Sequence, residues 1–276
     1  MLHVWFPLLQ VVFHSNGKLY GTDNGPNTGF GRKSVNCTHD TPDPSEGDRI
    51  NVAIKGRYYG HPNRLRAAFY NDTRQCRWRS RSEASDAEYT RPIANVASST
   101  NGIVEWESAH FSNQLRGQLF VGRHNSNSYT IRLAPDGLSS LQVTDRSTGG
   151  LGVTQGPDGT MFIAVHGSNK VIFKQPNERI WGDLRVLSVF PRRGPVAGNT
   201  RFRIYGQALD IDGVPTVTVG GLPCTAVIVL TPSELECTLP TAPGAGKASV
   251  VVTSGTFNGT LTDGYRYATF TGGPPP

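Results

Sequence analysis

Short runs of alternating apolar and polar residues follow one another along the whole chain. Clear examples are Ser128–Leu133 and residues 171–174, and turn residues such as those at 134–137 lie between the runs. Alternation with a period of two is typical of strands that bury one face, whereas apolar runs of helical period are scarce here. Glycine (32 residues) and proline (19 residues) are abundant, which suits many short strands joined by tight turns. The pattern predicts an all-β protein.

One short motif occurs three times: glycine, a variable residue, an apolar residue and an aromatic residue. Its copies begin at Gly17, Gly117 and Gly159, and the last two copies are 42 residues apart. That spacing is the length of one propeller blade, a four-stranded antiparallel sheet that stacks with others around a channel. Residues 11–180 are therefore predicted to form a partial β-propeller of about three to four consecutive blades, arranged as an open arc.

An open arc leaves an apolar sheet face bare at each of its ends, near residues 11–13 and 171–173. Exposed apolar faces of several hundred Å² mark interfaces or cause aggregation. We therefore expect the missing blades to come from the rest of the gene product, or the chain to self-associate.

The character of the sequence changes after Arg179. Short alternating segments, each followed by turn residues, predict a β-sandwich over residues 183–270, and residues 271–276 form a Gly/Pro tail. Residues 1–10 are apolar, but they lack the basic flank and the cleavage site of a signal peptide. They are also too few to span a bilayer. We interpret residues 1–10 as a first segment that is not the native start.

The sandwich region carries a specific set of motifs. They are Pro191-x-x-Gly194-Pro-x-x-Gly198-x-Thr200, Val219-Gly-Gly-x-x-Cys224, Cys237-x-x-Pro240 and Tyr265-x-Tyr267. This set closely resembles IPT/TIG domains, which are immunoglobulin-like sandwiches of cell-surface receptors and, in another branch, of Rel-type transcription factors. The resemblance implies an immunoglobulin-like fold for residues 183–270.

The first copy of the repeated motif leads into a second set of residues. These are Gly25-Pro26-Asn27, Ile50-Asn51 and Tyr59-Gly60-His61-Pro62. In that order they resemble a blade of the soluble quinoprotein glucose/sorbosone dehydrogenases. The resemblance implies a propeller of six-bladed type, of which residues 11–180 would form three to four blades. The resemblance implies a Ca²⁺ ion held by the carbonyls of Gly25 and Pro26, with Asp23 or Asp48 as a further oxygen ligand, since Ca²⁺ takes six to eight oxygens. The alternative is a Gly-Pro turn kept for its backbone shape.

The same family oxidises sugars with a base histidine and with arginines that neutralise the carboxylates of pyrroloquinoline quinone. The expected histidine segment is replaced by residues 6–10, and the expected arginine pair is replaced by residues 149–152. His124 and His166 occupy equivalent repeat positions, which favours a structural role in the blades. We therefore assign no catalytic or cofactor-binding residue, and we do not expect the quinone to bind this chain alone.

The four cysteines fall into two local pairs, Cys37 with Cys76 and Cys224 with Cys237. Each pair is a predicted disulfide, and none of the four is in the CxxC spacing of a structural zinc site. Asn-x-Thr acceptor triplets for glycosylation begin at Asn36, Asn71 and Asn258. Paired cysteines and acceptor triplets together favour an extracellular location. The alternative is free thiols and unused triplets in a reducing cytosol.

The formal net charge of +6 favours weak contact with polyanions and says nothing about the fold. The densest basic run, residues 74–81, contains Trp78, a mixture that suits sulfated glycans or nucleic acid. Acidic residues follow it directly, so we interpret it as a solvated loop. DNA binding by the IPT/TIG region is disfavoured by the acceptor triplets and the cysteine pairs.

The sequence thus predicts a secreted or cell-surface recognition protein with a catalytically degenerate, sugar-dehydrogenase-like propeller. Its expected partners are extracellular proteins or carbohydrates, with no nucleic acid and no membrane span. The alternative function is that of the C-terminal portion of an aldose or sorbosone oxidoreductase that depends on pyrroloquinoline quinone and calcium.

Overall fold

The structure, a computed structural model, describes most of the chain with several gaps. The described residues are 8–24, 32–35, 38–42, 47–57, 59, 90–97, 99–124, 127–146, 148–175 and 183–269. Several predicted positions lie outside them, namely Gly25, Pro26, Cys37, Cys76, Asn36, Asn71 and residues 74–81. Within the described residues the regular elements are strands and a single 3-10 turn, Phe111–Asn113, which confirms the predicted all-β class.

By contacts the chain divides into two compact units. The first unit comprises Met1–Trp106, Gly117–Thr154 and Phe162–Phe173. The second comprises Glu107–Arg116, Gln155–Met161 and Lys174–Pro276. Two short segments from the propeller-like stretch of sequence therefore belong by contact to the second unit.

Three sheets account for most strands of the propeller-like stretch that the structure describes. In chain order its strands are β1 (Leu8–Phe13), β2 (Leu19–Asp23), β3 (Arg32–Val35), β4 (Thr38–Pro42), β5 (Asp48–Ala53), β6 (Ala94–Val96), β7 (Thr100–Glu105), β8 (Leu119–Arg123), β9 (Ser128–Leu133), β10 (Ser140–Arg146), β11 (Gly152–Gln155), β12 (Met161–Val165) and β13 (Lys170–Lys174). The sheets have the orders β1-β2-β5-β6, β10-β9-β8-β7 and β11-β12-β13, and β3 pairs with β4 separately. Successive antiparallel sheets of this kind are blades, as the repeated motif predicts.

Glycines let the second and third blades approach each other closely. A Cβ atom on Gly122 of β8 would collide with the carbonyl oxygen of Gly150, which precedes β11 of the third blade. Within the third blade, a Cβ atom on Gly150 would collide with the carbonyl oxygen of Ala164. Apolar side chains fill the rest of the first unit's core: Tyr20, Ile50, Val52, Ile93, Ala94, Val96, Ile103, Leu119, Val121 and Ile131. The repeat therefore encodes both the strands and the glycine contacts by which the blades stack.

The outer face of the third blade is exposed. Phe162 of β12 is 38% exposed, and Val171 and Phe173 of β13 are 63% and 64% exposed. By contrast, Phe120, at the equivalent position in the second blade, is 3% exposed. On β1, at the other end of the unit, Val11 and Phe13 are also exposed. The apolar ends expected from the sequence are present in the described residues.

The second unit contains a two-sheet sandwich. Its strands are β14 (Arg185–Phe190), β15 (Arg193–Pro195), β16 (Arg201–Gln207), β17 (Thr216–Val219), β18 (Leu222–Pro223), β19 (Thr225–Thr231), β20 (Glu234–Thr238), β21 (Gly246–Ser254) and β22 (Phe257–Ala268). One sheet has the order β14-β16-β20-β19 and the other the order β15-β22-β21-β17-β18. The inner faces supply the core: Leu184, Val186, Leu187, Val189, Phe202, Ile204, Leu209, Val217, Val219, Leu235, Cys237, Leu239, Ala248, Val250, Val252, Leu261, Tyr265 and Tyr267. Two sheets packed over such a core form the predicted immunoglobulin-like sandwich.

Arg192 connects the two short segments to the sandwich within the second unit. Its Nε lies 2.8 Å from Glu107 Oε2, and its Nη2 donates to Gln155 Oε1 (3.2 Å) and to Ser188 Oγ (3.3 Å). Ser188 Oγ in turn donates to Pro157 O at 2.7 Å. These charge-assisted bonds explain why Glu107–Arg116 and Gln155–Met161 fold with the second unit.

Tyr265 and Tyr267 of β22 differ in whether the hydroxyl group has a hydrogen-bond partner, and the pair therefore allows the cost of an unpaired buried hydroxyl to be measured. The Tyr265 hydroxyl is buried without a hydrogen-bond partner among the described residues, and burial raises the pKa of Tyr265 to about 12. Tyr267 instead donates to Pro240 O at 3.1 Å. A buried hydroxyl without a partner costs about 1–3 kcal/mol.

We therefore expect Tyr265→Phe to raise the free energy of unfolding by about 1 kcal/mol, and Tyr267→Phe to lower it by about the same amount. Chemical denaturation of both variants against the parent chain measures the difference. Equal losses in the two variants would show that the Tyr265 hydroxyl has a partner after all.

Candidate functional site

The predicted calcium region maps to a buried polar cluster between β2 and β5, formed by Asp23, Asn24, Asp48, Arg49 and Asn51. Antiparallel pairing of the two strands places Asp23 opposite Arg49. Asp23 is fully buried, and Asp48, Arg49 and Asn51 are also buried. Several polar side chains are thus brought together at the end of the first blade's central strands.

Asp23 and Arg49 form a buried ion pair. Arg49 Nη1 lies 3.7 Å from Asp23 Oδ2, and Asn51 Nδ2 donates to the same oxygen at 3.4 Å. Burial raises the pKa of Asp23 to about 6, although Arg49 acts in the opposite direction; the nearby Asp48 raises it further. The guanidinium therefore supplies the positive charge that keeps the buried carboxylate ionised at neutral pH.

Asp48 accepts hydrogen bonds from Thr100, the first residue of β7, and from Asn24, which directly follows β2. Thr100 N donates to Asp48 Oδ2 at 2.6 Å. The Asn24 amide, oriented to satisfy both of its partners, donates to Asp48 Oδ2 (3.0 Å) and to Thr100 O (2.9 Å). These contacts fix the start of β5 against the start of β7.

The described members of this cluster do not fit a calcium ion. Ca²⁺ needs several oxygens directed at one point, whereas here one Asp48 oxygen accepts two N–H bonds and Asp23 faces a guanidinium. In the described residues, no group of three or more His, Cys, Asp or Glu side chains could hold a metal ion. Gly25 and Pro26 lie outside the described residues, so the calcium site assigned to Gly25, Pro26 and Asp48 stays a prediction.

Residues 149–152, where the resemblance to the quinoprotein dehydrogenases implies an arginine pair, lie within the described part of the chain. Gly150 packs so closely on Ala164 that a side chain at this position would collide with the backbone of the next strand. An arginine cannot occupy this position without moving the third blade. Residues 149–152 thus supply no arginine for the carboxylates of the quinone, and the expectation that the quinone does not bind this chain alone stays a prediction.

Cys224 and Cys237 are neighbours in the sandwich. Thr225 and Thr238, the residues that follow them, pair across β19 and β20. Both cysteines are thiols in the structure, and the hydrogen bond to Cys224, together with burial, raises the pKa of Cys237. Their disulfide stays a prediction for oxidising conditions.

The third acceptor triplet begins on the surface. Asn258 is exposed at the start of β22, where it pairs with Thr253. An exposed asparagine near a hairpin turn is accessible to a glycosylating enzyme. Glycosylation at Asn258 stays a prediction, as it does at Asn36 and Asn71.

Two histidines come together in a way that the sequence indicated only indirectly. His124 Nε2 and His166 Nδ1 are 2.8 Å apart. The 42-residue repeat was the available signal, because equivalent positions of neighbouring blades lie side by side. The sequence did not predict the pairing of Asp23 with Arg49, or the hydrogen bond from Thr100 N to Asp48 Oδ2.

Comparisons with known proteins agree with this architecture. Residues 10–174 match the family model described as Glucose / Sorbosone dehydrogenase, and residues 184–269 match the model described as IPT/TIG domain. These matches cover both regions for which the sequence showed a resemblance.

Similar individual proteins are found among the plexins. Plexin-2 of Caenorhabditis briggsae is 32% identical over 101 residues, which is 37% of this chain and 6% of that protein. Plexin-B3 of Homo sapiens is 36% identical over 83 residues, which is 30% of this chain and 4% of that protein. The chain thus spans a small fraction of the length of these relatives.

A solved structure of the full extracellular region of plexin A4 was also found. It is 12% identical, with a TM-score of 0.30, and the alignment covers 95% of this chain and 32% of that chain. A score this low carries no argument about the fold.

Proposed function

We propose that this chain, which belongs to the glucose/sorbosone dehydrogenase family over residues 10–174 and also carries an IPT/TIG domain, acts in extracellular or cell-surface recognition. Its partners would be extracellular proteins or carbohydrates. The propeller-like part would serve as a scaffold without the sugar oxidation of its family.

The IPT/TIG sandwich carries the proposal. Residues 184–269 match that domain and fold as two packed sheets over a continuous core, and individual relatives of the chain are plexins. Over the residues that the structure describes, there is no helix long and apolar enough to cross a membrane.

The polar cluster supports a non-catalytic propeller. Arg49 places a fixed positive charge beside Asp23, where the resemblance to the family implied calcium ligands nearby. Gly150, within the segment 149–152 that stands where the resemblance implies the arginine pair, packs against the backbone of Ala164. The family match itself favours the second candidate, a sugar oxidoreductase that uses pyrroloquinoline quinone and calcium.

A binding assay on cultured animal cells tests the proposal. The full chain is labelled with biotin and added to untreated cells, to cells treated with trypsin and to cells treated with heparinase. We expect saturable binding that trypsin removes if the partner is a protein, or that heparinase removes if it is a sulfated glycan. Absence of saturable binding to untreated cells would contradict the proposal.

A further inference from the structure

His124 and His166 form a close pair on two neighbouring blades. His124 follows β8 and His166 follows β12, and their ring centroids are 4.7 Å apart. His166 is exposed and His124 is half-buried, so solvent reaches the pair. The backbone of His124 is anchored by the bond from its N–H to Ser99 O (2.8 Å). Two imidazoles are thus held together at the surface by strand ends.

We propose that this pair binds a divalent transition-metal ion, Cu²⁺ or Ni²⁺, through His124 Nε2 and His166 Nδ1, with water at the remaining positions. Neutral imidazole is the commonest metal-binding side chain in proteins and suits both ions. The proposed site shares no residue with the buried cluster of Asp23 and Arg49 and goes beyond the recognition function.

The distance between the two nitrogens, which is that of a hydrogen bond, is also close to the separation of two metal ligands at a right angle. With metal–nitrogen bonds of about 2.0–2.1 Å, two ligands at a right angle lie about 2.9 Å apart, whereas two tetrahedral ligands lie about 3.3–3.4 Å apart. The observed 2.8 Å matches the right angle. Tetragonal Cu²⁺ and Ni²⁺ sites use that angle, and Zn²⁺ prefers the tetrahedral one.

Metal binding requires a change of tautomer at one ring. In the free pair, one of the facing nitrogens carries the proton that the other accepts. A metal needs the lone pairs of both, so that proton leaves the facing nitrogen, and the other nitrogen of the same ring takes one up from solvent. Both imidazoles stay neutral, and no net proton is released.

Calorimetric titration of the metal-free full chain with CuCl₂, NiCl₂ and ZnCl₂ tests the proposal, with electron paramagnetic resonance of the copper form as a second readout. The variants are His124→Asn and His166→Asn. The matched control is His110→Asn, because His110 lies outside the pair and binds Asp158 O at 3.0 Å. Thermal unfolding without metal checks that each variant is folded.

We expect the parent chain to bind Cu²⁺ more tightly than Zn²⁺, with nitrogen hyperfine splitting in the copper spectrum. Either pair variant should weaken Cu²⁺ binding by at least about tenfold, since a single imidazole is a weak ligand. His110→Asn should leave Cu²⁺ affinity unchanged. Equal Cu²⁺ affinity in the parent chain and both pair variants would overturn the proposal, as would an equal loss in the control.

Discussion

Replacing Arg49 by methionine is expected to lower the free energy of unfolding by about 3–5 kcal/mol at pH 7, the usual effect of removing one partner from a buried ion pair. Arg49 lies 3.7 Å from Asp23, and both side chains are buried. Methionine keeps most of the apolar stem but leaves the Asp23 carboxylate without the guanidinium. Urea denaturation of the variant and the parent chain at pH 7 measures the loss.

The loss should depend on pH with a definite sign. The pKa of Asp23 is about 6 in the folded chain, above the usual aspartate value of 3.8. The folded state therefore binds this proton more tightly, so the stability contributed by Asp23 is complete below pH 4 and is lost as the pH rises through 6. Removing Arg49 raises the pKa of Asp23 further. The penalty of Arg49→Met should accordingly be small near pH 4 and large at pH 7.

A double variant provides the control. Asp23→Asn combined with Arg49→Met removes both charges and should recover much of the stability that the single variant loses at pH 7. A loss for Arg49→Met that is equal at pH 4 and pH 7 would contradict the assignment of Asp23 as its charged partner.

The full chain is expected to self-associate through the outer face of the third blade. Phe162, Val171 and Phe173 are exposed there, although Phe120, at the equivalent position of the second blade, is buried. The repeat therefore identifies the occupant that this face fits, another blade, and a second copy of the chain supplies one. Covering a few hundred Å² at about 25 cal/mol per Å² contributes about 5–10 kcal/mol before the entropy cost of association.

Sedimentation velocity over a concentration series measures the association. Phe173→Glu places a charge on the face and should shift the chain to monomer. Phe257→Glu, an exposed phenylalanine of the second unit, should leave the association unchanged. A parent chain that sediments as a single monomer at every concentration would contradict this expectation.

The alternating strands, the turn residues and the 42-residue repeat predicted much of the fold, because each of them depends on residues close together in the sequence. The 42-residue repeat contains its own strands and its own glycine contacts, such as that of Gly122 with Gly150, so period alone predicts neighbouring blades. The sandwich was predictable in the same way, because its motifs lie on the strands and turns that form its core. These features need no knowledge of distant parts of the chain.

The candidate site was less predictable because it depends on long-range register. Asp23 faces Arg49 only when β2 and β5 pair in one particular register, and the residues between these strands carry no pattern that determines it. Similarly, the ion pair between Glu107 and Arg192 assigns Glu107–Arg116 to the second unit across a long stretch of sequence. Side-chain pairing at such separations is not encoded in period or composition.

The central claim is that this member of a sugar dehydrogenase family acts by recognition and not by oxidation. Dye-coupled turnover of glucose and sorbosone by the full chain, with added pyrroloquinoline quinone and Ca²⁺, tests it most directly. We predict a rate equal to the blank without protein, because residues 6–10 and 149–152 differ from the histidine segment and the arginine pair that the resemblance implies, and groups of that kind supply several kcal/mol of transition-state stabilisation. Turnover above the blank that rises in proportion to protein concentration would contradict the claim.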